Sequence, residues 1–162
     1  MVYGIGLSEP KWYLIRTKRW CEEQVAAFLE EQEVEFFAPS LERARPTRTG
    51  RRIIPLLPSY VFVRLRIPSD EYLRVRSAPG VAELVSFGGS PAVIHDGVVQ
   101  VIRDRVQREN RAHSGDRLTK EERAEVARRL VRHVEIVFDT RRTADDRVRA
   151  LVDFSRRIGA NR

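Results

Sequence analysis

Cysteine is almost missing from this chain of 162 residues: Cys21 is the only one. A lone thiol excludes an internal disulfide and any multi-cysteine metal cage, and it fits a reducing cytoplasm, where we expect the protein to reside. Histidine is nearly as scarce. His95, His113 and His133 lie far apart, none with a second ligand type at metal spacing, so neither a metal nor another cofactor is expected. No segment approaches the ~20 consecutive apolar residues of a membrane span. Met1 to Pro10 lacks both the basic start and the apolar core of a secretion signal and reads as a flexible N-terminal segment. There is no Walker-type phosphate loop, and Gly88-Gly89 reads as a hairpin turn. The paired acids Asp70-Glu71 and Asp145-Asp146 suit the first turns of helices, where they complement the dipole. With no cluster of acids, histidines or nucleophiles, the chain is not expected to be an enzyme.

Positive charge is abundant. Thirty Lys and Arg stand against 23 Asp and Glu, a net charge of +7, which favours a polyanionic partner, nucleic acid first. Five arginines, Arg43, Arg45, Arg48, Arg51 and Arg52, crowd "ERARPTRTGRR" (Glu42 to Arg52) around Pro46 and Gly50. That composition suits an exposed loop or hairpin tip whose guanidinium groups either reach phosphates or merely aid solubility. Lys18 and Arg19 fall where a first strand meets a first helix, and Arg74 and Arg76 extend the basic set. Trp20 suits stacking on an exposed base, although an aromatic at a helix start is more often half-buried packing.

Hydrophobic residues make up 42% of the chain, enough for a packed core. "KWYLIRT" reads as a strand, "WCEEQVAAFLEEQ" as an amphipathic helix and "VEFFAP" as a second strand. "PLLPSYVFVRL" (Pro55 to Leu65) alternates strictly, which puts Val61, Val63 and Leu65 on a core face and Tyr60, Phe62 and Arg64 on the other. "SDEYLRVRSAPG" is a short helix capped by Ser69, "VAELVSF" a strand, and Asp96 caps a helix with Val98, Val99, Ile102 and Val106 on one side. This order predicts an α+β fold.

"NRAHSGDR" reads as a linker over 110–118, separating a domain at 11–109 from a helical region at 119–162. There, Thr119 to Glu122 forms a capping box, and Ala127, Leu130, Val131, Val134 and Phe138 keep an apolar stripe. Thr143 to Asp146 opens a second helix with Val148, Leu151, Val152 and Ile158, ended by Gly159. The two predict a helical hairpin.

"WYLIRTKR", "FFAP", "PLLPSYVFV", "VRSAPGV" and "FGGSPAVI", in this order, resemble the N-terminal (NGN) domain of the NusG family of transcription elongation factors over Lys11 to about Arg105. "PLLPSYVFV" and "SFGGSPAVIHDGVVQVI" are most similar to its specialised RfaH-type branch. The resemblance implies an antiparallel sheet flanked by helices and a non-enzymatic elongation and antitermination factor that suppresses pausing at selected operons. It further implies an apolar patch of Leu57, Tyr60, Phe62, Val99 and Ile102 that docks on the β-prime clamp helices of RNA polymerase. Tyr72 and Arg74 would face the β gate loop, and Lys18 and Arg19 the non-template single-stranded DNA. Arg16 and Pro79 depart from the RfaH pattern, so the same DNA element is not implied. Nothing after "SGDRL" shows the glycine-rich KOW signature, so contacts to a ribosomal protein or to termination factor Rho do not carry over. The resemblance also suggests that the helical hairpin lays Leu130, Val134, Val148 and Leu151 over Tyr60 and Phe62, the rival being an independent helical appendage. The alternative function is a general RNA- or ribosome-binding module without polymerase-specific docking.

Overall fold

A computed structural model of the chain describes residues 8–44, 51–113, 137, 139 and 141–160. The capping box at Thr119, the stripe residues Leu130 and Val134, and Arg45 and Arg48 lie outside the described residues. In chain order the elements are β1 (Lys11–Thr17), α1 (Glu22–Glu31), β2 (Phe36–Phe37), β3 (Ser40–Ala44), β4 (Arg51–Pro55) and β5 (Tyr60–Leu65). Then follow α2 (Asp70–Arg76), β6 (Val81–Leu84), β7 (Ser86–Phe87), β8 (Ser90–Pro91), α3 (Asp96–His113) and α4 (Ala144–Ala160). They divide into two compact units, Met1–Phe37 with Ser59–Val93 and Ala38–Pro58 with Ile94–Arg162.

The first unit is built on an antiparallel sheet of order β2-β5-β1-β6. Its register sets Tyr13 opposite Val63, Leu14 opposite Phe62 and Ile15 opposite Val61. Alternation then gathers Tyr13, Ile15, Val61, Val63 and Leu65 on one face, where Val25 and Leu29 of α1 and Val75 of α2 complete a core. The alternation in "YVFVRL" predicts one core face, but the opposite face is withdrawn from water as well. Leu14 and Phe62 are fully buried, Trp12 and Tyr60 nearly so, and the Phe37 ring stacks on Phe62 at 5.8 Å. A strand buried on both faces reads as a continuous apolar run, and period-2 alternation between aromatic and aliphatic residues conceals that.

Helix ends follow local chemistry. The Ser69 hydroxyl accepts from the Tyr72 N–H at 3.0 Å and so caps α2, with Asp70 and Glu71 in its first turn. Gly88 and Gly89, at φ of 58° and 78°, form the tight turn between β7 and β8, the left-handed pair that a two-residue hairpin demands.

The second unit corrects three expectations. The arginine-rich stretch is bounded by paired strands: β3 pairs with β4, Arg43 opposite Arg52 and Leu41 opposite Ile54. Arg43, Arg51 and Arg52 therefore stand on strands and not on a free loop. What holds β3 is distant in sequence. The Asn110 side chain accepts from the Glu42 N–H at 2.9 Å and donates to the Ser40 carbonyl at 3.1 Å, pairing an edge as another strand would. Second, α3 continues through residues 110–113, into the stretch that composition marks as linker. Third, its cap is one residue earlier than expected, since His95 Nδ1 accepts from the Gly97 N–H at 3.2 Å and Asp96 is a first-turn acid. On α4 the expected cap holds: the Thr143 hydroxyl accepts from the Asp146 N–H and donates to the Asp146 carboxylate. Gly159, expected to end α4, lies inside it.

Glu109 of α3 takes Arg43 of β3 at 3.1 Å and Arg105 at 3.0 Å. Burial pushes the Glu109 carboxyl up, but the hydrogen bonds and charges of Arg105 and Arg43 outweigh it and leave its pKa below the ordinary value. A carboxylate with a lowered folded pKa contributes stability above its unfolded pKa and loses it as pH falls through the folded one. Glu109→Gln is thus expected to lower the melting temperature at pH 7 and to flatten its decline below about pH 4.5. Melting curves between pH 7 and 3 check this.

Candidate functional site

The exposed cations of the first unit begin where β1 ends. The Thr17 N–H donates to Ser59 O at 2.8 Å, the Lys18 N–H to Gly80 O at 2.7 Å, and the Cys21 N–H back to Lys18 O at 3.1 Å. Those bonds close a four-residue turn, Lys18–Cys21, whose third residue, Trp20, has φ of 64°. That is the position a type II turn reserves for glycine or asparagine. Gly80, itself at φ of 87°, lets the turn come so close: an added Cβ would meet Cys21 Cβ at 2.9 Å and Val25 Cγ2 at 3.1 Å. Lys18, Arg19 and Trp20 all project into water. Arg19 lies over the Trp20 ring, its Cζ 5.2 Å from the centroid.

On α2, Arg74 and Arg76 are exposed and Tyr72 is half-buried, with Leu73, 56% exposed, between them. Arg16 is engaged by Glu83 at 2.8 Å, and Arg43 by Glu109 as above. Arg52 is exposed on β4, beside Ile53 and Ile54.

Leu57, Tyr60, Phe62, Val99 and Ile102 are all buried, none more than 8% exposed. They expose almost no surface to a partner. Val148 and Leu151 of α4 are buried too. Among the described residues, no group of three or more His, Cys, Asp or Glu could hold a metal ion, and no helix is long and apolar enough to cross a membrane.

Sequence reasoning missed two residues. Arg147 is buried and donates to Leu56 O at 2.6 Å and Val137 O at 2.9 Å. Its signal was an arginine four residues before Leu151, inside the apolar stripe. Ser155, also buried, accepts from the His95 N–H at 2.6 Å. Its spacing carried the same signal more weakly, because serine is common on either side of a helix.

An antiparallel sheet flanked by helices defines a domain of the α+β class. The family model described as "Transcription termination factor nusG" matches residues 10–103, well over half of the chain, which therefore belongs to the NusG family of transcription factors. A solved structure described as "Domain interaction in Thermotoga maritima NusG" is 30% identical, with a TM-score of 0.45, over 58% of this chain and 55% of that chain. The chain thus spans little more than half the length of that structure. None of the curated proteins matches it.

Proposed function

We propose that the chain is a transcription elongation and antitermination factor of the RfaH-type branch that binds RNA polymerase and suppresses pausing at selected operons. The carrying observation is the family match over residues 10–103, which contains every residue of the docking set. In this reading Leu57, Tyr60, Phe62, Val99 and Ile102 engage the β-prime clamp helices, and Tyr72 and Arg74 face the β gate loop. Lys18, Arg19 and Arg76, with the hairpin arginines Arg43, Arg45, Arg48, Arg51 and Arg52, meet nucleic acid, the first two the non-template strand.

Burial of the apolar set sharpens the reading. Leu57, Val99 and Ile102 share a compact unit with Val148 and Leu151, and the α4 stripe shields them until polymerase displaces it. Deleting residues 117–162, with folding of the remainder verified by circular dichroism, is expected to increase polymerase affinity. Unchanged affinity in a folded deletion sinks the shielding.

Capture of RNA polymerase by the full chain tests the docking itself. Leu73→Asp with Arg74→Glu, on the exposed face of α2, is expected to lower capture about tenfold or more with no loss of melting temperature. Arg45→Gln with Arg48→Gln should leave capture intact. The reverse pattern, with ribosomal RNA retained only when the arginines are present, supports the rival RNA-binding module.

A further inference from the structure

We propose that the turn Lys18–Cys21 is a single-stranded nucleic-acid site in which the Trp20 indole stacks on an unpaired base. The proposal rests on the nucleic-acid reading of Lys18 and Arg19 and goes beyond it by assigning Trp20 a role of its own.

Two independent oddities meet at this residue. Trp20 is 84% exposed, although tryptophan is the side chain with most to gain from burial. Its φ of 64° is a conformation that bulky side chains rarely adopt and that folds tolerate mainly where the surroundings over-determine it. The surroundings do so here. Backbone bonds from Thr17 to Ser59, Lys18 to Gly80 and Cys21 to Lys18 fix both ends of the turn, and its last residue is seated close on Gly80, where an added Cβ would meet Cys21 Cβ at 2.9 Å. The indole is therefore held out into water by a rigid support, so little conformational entropy is lost when something binds it.

Charge and shape select the occupant. Lys18 and Arg19 are exposed and in no ion pair among the described residues. The carboxylates that follow the turn in sequence are Glu22, which accepts from the Ser59 hydroxyl at 3.2 Å, and Glu23, exposed in the first turn of α1. An aromatic plane backed by a guanidinium and flanked by an ammonium matches a base with its phosphate. Duplex bases are already stacked and present no face, so the site discriminates in favour of single strands. Unpaired bases occur in both DNA and RNA, and the two are separated by experiment.

The chain holds two tryptophans, of which Trp12 is 3% exposed, so quenchable fluorescence reports on Trp20. Titration of the full chain with a mixed-sequence single-stranded DNA 12-mer, its RNA counterpart and the DNA duplex is expected to quench that emission with the single strands and not with the duplex. Tighter binding of the DNA strand assigns the site to DNA; tighter binding of the RNA strand assigns the same stacking to RNA. Trp20→Ala should weaken single-strand binding roughly 5- to 150-fold, the loss of one stacked base, and Trp20→Phe should restore most of it. Trp20→Gly, which removes both ring and strain, should raise the melting temperature yet bind as poorly as the alanine variant.

Unchanged affinity in Trp20→Ala, while Lys18→Gln with Arg19→Gln still weakens binding, overturns the stacking and leaves the nucleic-acid reading standing. No effect from any of these variants removes that reading as well. Loss of polymerase capture by Trp20→Ala without loss of single-strand binding makes the indole a protein contact and overturns the proposal.

Discussion

Phe62→Ala is expected to destabilise the chain by about 3–5 kcal/mol, the range for truncating a fully buried phenylalanine. Phe62 has no exposed surface, sits opposite Leu14 on β1 and opposite Phe37 on β2, and loses the stacked Phe37 ring at 5.8 Å when truncated. Its position on the central pair of strands leaves the backbone little freedom to close over the void. Since a domain of this size carries ~5–15 kcal/mol in total, the variant is expected to be partly unfolded well below the parent's midpoint in urea. Urea titration followed by circular dichroism measures the difference. Phe62→Leu keeps most of the volume and should cost less than half as much. A loss below about 1 kcal/mol for the alanine variant would mean that the site collapses freely. This stability role constrains functional work, because loss of polymerase capture by Phe62→Ala reports on docking only in the fraction still folded.

Much of the first unit was legible because its signals are local. Ser69 before Asp-Glu, valine and leucine four apart between glutamates in α1, and Gly88-Gly89 between short strands each state their structure within one turn of chain. The second unit depends on partners that sequence separates widely. Nothing in "SLERA" announces a strand edge satisfied by Asn110, 68 residues from Glu42, so five arginines outweighed the pairing of Leu41 with Ile54. The start of the expected linker, residues 110–113, lies in α3 for the same reason: Asn110 is polar and looks like loop, yet its amide is spent on β3. At the candidate site, the basic pair Lys18-Arg19 was visible, and so was the ambiguity of Trp20. Its exposure was not visible, because a tryptophan at a position where a turn wants glycine violates local preference and only the backbone shows it.

Arg147→Ala is expected to cost about 2–4 kcal/mol, concentrated in α4. The side chain is buried, 6% exposed, and its Nη1 donates to Leu56 O at 2.6 Å and Val137 O at 2.9 Å, while Nε reaches Thr143 O at 3.4 Å. Burial lowers its pKa and the charge of Asp139 partly offsets that, but a guanidinium stays protonated across all pH values at which proteins fold. The effect is therefore not a pH switch. Truncation strands two carbonyls at ~1–3 kcal/mol each, against which the relief of an expensive buried cation is set. Arg147→Met, which keeps the apolar stem, should recover packing and not the carbonyl partners, so it falls between the alanine variant and the parent. Native-state hydrogen exchange gives the location: amides of α4 are expected to lose protection first, with those of β1 and β5 changed least. A change below about 0.5 kcal/mol would mean that water replaces the guanidinium at both carbonyls. If α4 shields Leu57, Val99 and Ile102 as proposed, loosening it at Arg147 raises polymerase affinity in the full-length chain. Weaker exchange protection in α4 with no gain in polymerase binding would separate a purely structural clasp from a functional one.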